Sequence, residues 1–150
     1  MKLIINIILL FIFISPGGDH YRLTVSVSGL KPLSGDLYIS LHSRPEYFQV
    51  PDSALMKAKI TVNKETEVIH FDKVLSGKYA IAIYHDENLN TILDVNELGI
   101  PKEGYGFSTK KQVPGRPKFE QAAFEVYKND TIEVKMIYHA GPAPKKDSIY

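Results

Sequence analysis

Residues 79–84 read Tyr-Ala-Ile-Ala-Ile-Tyr, a run without a single charged side chain. In an extended chain successive side chains point to opposite sides, so the odd-numbered residues of this run share one face and the even-numbered residues share the other. A strand that is apolar on both faces is typical of the middle of a sheet that is covered on both sides. The run therefore predicts a central β-strand.

Six further segments on either side of this run are also rich in β-formers, and most alternate apolar with polar residues, the period of a half-buried strand. Turn signals such as Ser34-Gly35-Asp36 and Ser76-Gly77-Lys78 separate several of them, and no long helical period intervenes. We predict an all-β fold: an antiparallel β-sandwich of immunoglobulin-like or transthyretin-like type, with about seven strands. A small barrel is the alternative, and residues 44–55 are predicted to form a loop or one helical turn. The six segments are 23–28, 37–42, 57–63, 67–74, 122–126 and 132–138.

The N-terminus is typical of a secretory signal. Lys2 precedes an apolar stretch, residues 3–14, which is shorter than the roughly 20 residues that span a bilayer. The small residues Ser15 and Gly17 follow it, as they do near a cleavage site. We predict an exported protein, periplasmic or extracellular, with no transmembrane span after signal cleavage; an uncleaved N-terminal anchor is the alternative. The predicted divisions are a signal peptide (1–17), one β-sandwich domain (18–138) and a flexible C-terminal tail (139–150).

Composition excludes several classes of function. The chain has 150 residues, with 18 Lys and Arg against 17 Asp and Glu, so no excess of basic charge points to a nucleic-acid partner. The chain contains no cysteine. Disulfides, a Cys-ligated zinc site, a thiol nucleophile and a lipoprotein anchor are thereby excluded.

The connection after the central strand is unusually long. More than thirty residues without β alternation separate Tyr84 from Phe119. Connections beyond about 12–15 residues are uncommon in compact domains and are usually functional or disordered. This one is rich in Asp, Asn, Gly and aromatic residues, so we interpret it as an ordered, functional loop.

Oxygen-bearing residues in the first half of this connection follow the spacing of a twelve-residue calcium loop of the EF-hand type. Ca²⁺ takes six to eight hard oxygen ligands, which alternate residues of a tightly curled loop can supply. Thr91 stands at the sixth position, where the motif has Gly for a sharp turn, and a strand enters the loop instead of a helix. The alternative is a polar turn whose side chains bond their own backbone. The predicted Ca²⁺ ligands are Asp86, Asn88, Asn90, the Ile92 carbonyl, Asp94 and Glu97.

The second half of the connection carries Glu103, Tyr105 and Phe107 among glycines. The two aromatic rings are candidates for a platform under a sugar or a peptide, with Glu103 as a hydrogen-bond acceptor or an extra metal ligand. Alternatively, the rings fold back and cap one end of the sandwich, which is the commoner use of buried aromatic residues.

The sequence gives little support for a transition-metal site or for a hydrolase. His42, His70 and His85 lie on separate predicted strands without metal-site spacing, so we interpret them as ordinary strand residues. A hydrolase of cell-envelope carbohydrate would need two carboxylates across a cleft, for which Glu103 with Asp86 or Asp94 are the candidates.

Three segments resemble the domain-of-unknown-function 2141 (DUF2141) family of exported bacterial proteins over roughly residues 21–138. The segments are Gly-Lys-Tyr-Ala-Ile-Ala-Ile-Tyr-His-Asp-Glu-Asn (77–88), Gly-Ile-Pro-Lys-Glu-Gly-Tyr-Gly-Phe-Ser (99–108) and Phe-Glu-Gln-Ala-Ala-Phe (119–124). The resemblance implies export and a β-sandwich, and it carries over no catalytic residue. Thr91 departs from the small residue that members usually have after the second Asn.

Together these observations favour a secreted or periplasmic binding or structural module with a calcium loop over an enzyme. The alternative function is the envelope-carbohydrate hydrolase. An envelope carbohydrate or a protein is the expected partner.

Overall fold

The computed structural model describes residues 18–111, 113 and 115–139. The predicted signal peptide and residues 140–150 of the predicted tail lie outside the described residues. In the described part of the chain, the helical segments are α1 (Phe119–Ala122) and two 3-10 turns, Pro45–Tyr47 and Pro51–Ser53. The strands are β1 (His20–Ser28), β2 (Asp36–His42), β3 (Met56–Thr61), β4 (Thr66–Leu75), β5 (Gly77–Asp86), β6 (Tyr105–Phe107), β7 (Phe124–Val126) and β8 (Asp130–Lys135).

The strands form two sheets. One has three strands in the order β4-β1-β8, and the other has five, in the order β3-β2-β5-β6 with β7 also paired to β5. Most pairs are antiparallel, as predicted, but β1 and β8 run parallel. These two are the first and last strands of the described residues, so no hairpin fixes their relative direction. The all-β sandwich is confirmed.

The core lies between the two sheets. The alternation of each strand places its apolar side chains there, because a period of two puts every second residue on the inner face. Polar residues alternate with them on the outer faces of β1 and β3. Buried side chains of this core include Leu23, Val25, Val27, Leu37, Ile39, Leu41, Phe71, Val74, Tyr79, Ile81, Ile83 and Val134.

The prediction for residues 79–84 is confirmed, because β5 is an inner strand. It pairs with β2 on one side and with β6 and β7 on the other. Its odd-numbered residues face the core, and Ala82 and Tyr84 lie on the outer face of the five-stranded sheet.

Several sequence expectations differ in detail from the structure. Residues 105–107, which were predicted to lie in the long connection, form the short strand β6. The strand predicted to begin at residue 122 begins at Phe124 instead, because residue 122 is the last residue of helix α1. Helix α1 buries Phe119 and Ala122, which lie three residues apart and therefore on the same side of a helix.

The outer face of the five-stranded sheet is covered at both ends. At the end where β2 leaves the sheet, Phe48 packs with Ala80, Phe119 and Ala122 in a second, small apolar cluster. At the opposite end, residues 87–104 connect β5 to β6; we call this segment the long loop. The part of the outer face between these two coverings forms the groove described below.

Candidate functional site

The long loop starts at Asp86, the last residue of β5, which is completely buried. Its carboxylate accepts backbone hydrogen bonds from Asn90 N (3.0 Å) and Thr91 N (2.8 Å). One side chain thus bends the chain back on itself immediately after the strand. Asp86 is therefore a structural anchor of the loop, whether or not an ion is bound.

Three of the predicted calcium ligands meet at one oxygen. Asp94 Oδ2 lies 2.6 Å from Asn88 Nδ2 and 3.0 Å from Asn90 Nδ2. The two amide oxygens accept local backbone N–H groups, Asn88 Oδ1 from Asn90 and Asn90 Oδ1 from Ile92. The loop thus brings these three side chains together, and both amide oxygens make the side-chain-to-backbone bonds of the polar-turn alternative.

Thr91 adopts the left-handed conformation that the motif requires at its position, with φ of 72°. A left-handed conformation costs an L-residue about 1–2 kcal/mol. Thr91 is held there by two bonds: its N–H donates to Asp86, and its carbonyl accepts the Tyr84 hydroxyl at 2.9 Å. The sequence departure at this position therefore does not prevent the sharp turn.

The remaining two predicted ligands lie in the outer part of the loop. Ile92 is 58% exposed. Glu97 is exposed at the turn of a short hairpin, in which Val95 bridges Pro101 and Lys102 N donates to Asp94 O. Within the described residues, the Glu97 carboxylate makes no hydrogen bond or ion pair. No group of three or more His, Cys, Asp or Glu side chains in residues 18–111, 113 and 115–139 is placed to hold a metal ion.

Glu103 ties the two ends of the long loop together. It is buried, and its two oxygens accept backbone hydrogen bonds from Glu87 N and Asp94 N, both at 2.9 Å. In return, Glu87 Oε1 accepts the N–H of Gly104 at 3.0 Å. The partners of Glu103 are nine and sixteen residues away in sequence, so no local spacing signals this role.

Gly104, the last residue of the long loop, packs so closely against Tyr138 that there is no room for a side chain. A side chain there would overlap the ring of Tyr138. Tyr138 cannot easily move aside, because its hydroxyl contacts His85 Nδ1 at 2.8 Å and accepts the N–H of Lys31 at 3.2 Å.

The three histidines considered as metal ligands lie in separate networks. Fully buried His85 donates from Nε2 to Ser34 O (2.6 Å), and His70 bonds the Thr24 hydroxyl (3.1 Å). His42 bonds Ser40 Oγ through Nε2 (3.0 Å), and burial, followed by the charge of Lys57, lowers its pKa. These contacts support their interpretation as ordinary strand residues.

Tyr105 and Phe107 line a cavity of about 870 Å³ on the outer face of the five-stranded sheet. Tyr38 and Tyr84 line it as well, with their rings stacked at 4.8 Å between centroids. Burial, with the nearby Tyr38 hydroxyl and the carboxylates of Asp86 and Glu103, raises the pKa of Tyr84 to about 12. We call this cavity the tyrosine groove; Glu103 does not contribute to its lining.

A comparison with models of protein families finds a match over most of the chain. A family model described as an uncharacterized protein conserved in bacteria (DUF2141) matches residues 25–135. No curated protein and no solved structure matches the chain. Among the described residues, no helix combines the length and the apolar character needed to cross a membrane.

Proposed function

This chain belongs to the DUF2141 family, and we propose that it is an exported β-sandwich module whose long loop binds Ca²⁺. The observation that carries the proposal is the meeting of the Asn88, Asn90 and Asp94 side chains, together with the left-handed turn at Thr91. Asp86, the Ile92 carbonyl and Glu97 would complete the oxygen ligands.

The charge of the loop supports a cation. Residues 86–104 contain five carboxylates and one lysine, in a chain whose net charge is +1. In the described residues, none of these five carboxylates forms an ion pair with Lys or Arg. Nearby negative charges repel one another unless a cation or a proton neutralises them. A bound Ca²⁺ would relieve this repulsion.

The hydrogen bonds around Asp94 indicate how an ion would enter. Its Oδ2 attracts two amide N–H₂ groups, those of Asn88 and Asn90. A cation would replace these donors. A half-turn of each amide would present an oxygen in place of the nitrogen, at the loss of the bond that this oxygen accepts from a backbone N–H. Glu97, which is exposed and not otherwise bonded to described residues, is free to approach from the outer hairpin.

The first test is thermal unfolding of the purified protein in 1 mM Ca²⁺, in EGTA and in 1 mM Mg²⁺. At about one hundred times its dissociation constant, a ligand stabilises the folded state by about 2.7 kcal/mol, or several degrees. We expect a rise in Ca²⁺ that Mg²⁺ does not reproduce. The absence of any calcium-selective rise, even at 10 mM, would reject the proposal.

The double variant Asp94→Asn with Glu97→Gln identifies the site. Both changes keep side-chain shape, so stability in EGTA should change little while the calcium shift is lost. Glu125→Gln, at an exposed position on β7, is the matched control and should keep the full shift. Asp86→Ala is a poor test, because Asp86 anchors the loop backbone even without an ion.

The hydrolase alternative gains no comparable support. A catalytic acid needs a carboxyl group that faces substrate. Both Glu103 oxygens accept backbone hydrogen bonds, and Asp86 is committed in the same way.

A further inference from the structure

The floor of the tyrosine groove consists of two cross-strand rows. Residues directly opposite each other on neighbouring strands project from the same face. The strand registers therefore align Lys59, Tyr38, Tyr84 and Tyr105 in one row. They align Lys57, Ser40, Ala82 and Phe107 in the next. The small side chains of Ser40 and Ala82 leave a depression between aromatic rings.

One end of the groove is apolar. There the long loop contributes Ile92, Leu93, Ile100 and Pro101 to the lining. Ile92 is 58% exposed and Ile100 is 41% exposed. Large aliphatic side chains are exposed here in a concave site, where a bound apolar group would cover them.

The opposite end is polar and carries positive charge. The segment after β2 contributes Gln49 and Asp52 there, β3 contributes Lys57, and the segment before α1 contributes Arg116. Gln49 Nε2 donates to Pro117 O, which holds the last of these segments against the first.

The charges at this end do not cancel. Lys57 pairs with Asp52 at 3.1 Å. Arg116 forms no ion pair with any described residue. Lys59, at the edge of the floor, is neutralised by Asp36 at 2.8 Å. The other charged side chains, Asp52, Lys57 and Arg116, are two bases and one acid, which leaves one positive charge for a ligand.

We propose that the tyrosine groove binds a single-chain amphipathic anion, with an apolar body and one terminal carboxylate. The body would lie over Ser40 and Ala82, between the aromatic rings and under the aliphatic residues of the long loop. The carboxylate would face Arg116 and Lys57. A volume of about 870 Å³ lies within the range of roughly 300–1,000 Å³ that small-molecule sites occupy. This proposal does not depend on Ca²⁺.

Titration of the purified protein with decanoate, below its critical micelle concentration, tests the proposal, and 1-decanol serves as the uncharged ligand of the same chain length. Two-dimensional NMR would report binding, in EGTA, so that failure of the calcium proposal does not affect the result. We expect shifts at Ala82 and Phe107 and tighter binding of decanoate than of decanol. No binding of either ligand, or equal affinity for both, would overturn the proposal.

Arg116→Gln isolates the charge. An exposed ion pair is worth up to about 1 kcal/mol, which corresponds to about a fivefold loss of decanoate affinity. Affinity for decanol should not change. Lys128→Gln, in the turn before β8, removes a positive charge outside the groove and should affect neither ligand. An equal loss from both variants would indicate only general attraction between the anion and a basic surface.

Two further variants test the apolar body. Ala82→Trp should fill the depression and lower the affinity for both ligands at least tenfold. Ile100→Ser removes part of the exposed wall without touching the core, so it serves where Ala82→Trp fails to fold. Unchanged affinity in a folded variant of either kind would place the ligand elsewhere. Anionic vesicles should not bind, because the groove is bounded at both ends. Binding of vesicles would overturn the proposal and would identify a membrane surface as the ligand instead.

Discussion

The core between the two sheets is stabilised by one kind of interaction, and the long loop by another. Between the sheets, buried apolar side chains such as Leu23 and Ile81 remove their surface from water, an effect that has no preferred direction. In the long loop, Leu98 is 82% exposed, and the chain is held by directional bonds from carboxylates and amides to backbone N–H groups. The same chain thus uses burial to stabilise its scaffold and hydrogen-bond acceptors to stabilise its candidate site.

This difference predicts two levels of stability. Core strands open only with global unfolding, whereas segments with few buried apolar contacts open locally at a lower free-energy cost. The long loop belongs to the second group. The following variants test this separation.

Ile81→Ala removes apolar volume at the centre of β5, where Ile81 is completely buried. A substitution of this type costs about 2–5 kcal/mol, from lost burial and from the cavity that remains. Urea denaturation at neutral pH would measure the loss in free energy of unfolding. Ile92→Ala, at an exposed position of the long loop, is the control and should change stability by less than about 0.5 kcal/mol. Similar losses from both would contradict the distinction between core and loop.

Glu103→Gln weakens the tie across the long loop. The change removes the negative charge and one of the two acceptor oxygens, so the N–H of Glu87 or of Asp94 loses its partner. An unsatisfied buried donor costs about 1–3 kcal/mol. Hydrogen exchange should accelerate at residues 87–104 and remain unchanged at the centre of β5. Uniform acceleration across both regions would show that the loop and the core open together.

The buried core could be predicted from the sequence, but the hydrogen bonds that stabilise the long loop could not. The alternation of β1 and the apolar run of β5 are local patterns that express which face is buried. The hydrogen-bond partners of Glu103 depend on the path of the chain after the hairpin at residues 95–101. No local sequence pattern predicts that path. Strand β6, with three residues, is too short to show a period of its own.

The candidate site was predictable in part. Asp86, Asn88, Asn90 and Asp94, which were selected by their spacing, form hydrogen bonds within one loop, and their role as calcium ligands stays a prediction. The tyrosine groove was not predictable beyond Tyr105 and Phe107. Its other aromatic residues, Tyr38 and Tyr84, are brought together by the pairing of β2 with β5, and pairing partners cannot be read from either strand alone.

Tyr84→Phe removes the hydroxyl that donates to Thr91 O. At neutral pH we expect a loss of about 0.5–1.5 kcal/mol in the free energy of unfolding, the net value of one hydrogen bond. The pKa of Tyr84 is raised from 10.0 to about 12, so its folded form retains the proton longer than the unfolded form. This contribution is complete below pH 10 and is lost as the pH rises through 12.

Urea denaturation between pH 9 and pH 11 would follow this loss. The stability difference between the native protein and Tyr84→Phe should shrink as the pH rises. Burial also raises the pKa values of Tyr79, Tyr105 and Tyr138, so the variant should still lose some stability in the same range. A difference that stays constant with pH would mean that the pKa of Tyr84 is not raised in the folded protein.

Thr91→Gly tests how far backbone strain limits the loop. Thr91 has φ of 72°, which costs an L-residue about 1–2 kcal/mol and costs Gly almost nothing. The greater conformational freedom of Gly in the unfolded chain lowers stability by about 0.5–1 kcal/mol. The net expectation is therefore a gain of up to about 1.5 kcal/mol in the free energy of unfolding. The bonds through its N–H and its carbonyl belong to the backbone and survive the change. Thr131→Gly, on strand β8 and outside the left-handed residues, should destabilise the protein instead. If both variants lost stability equally, the turn at Thr91 would carry no strain for glycine to relieve.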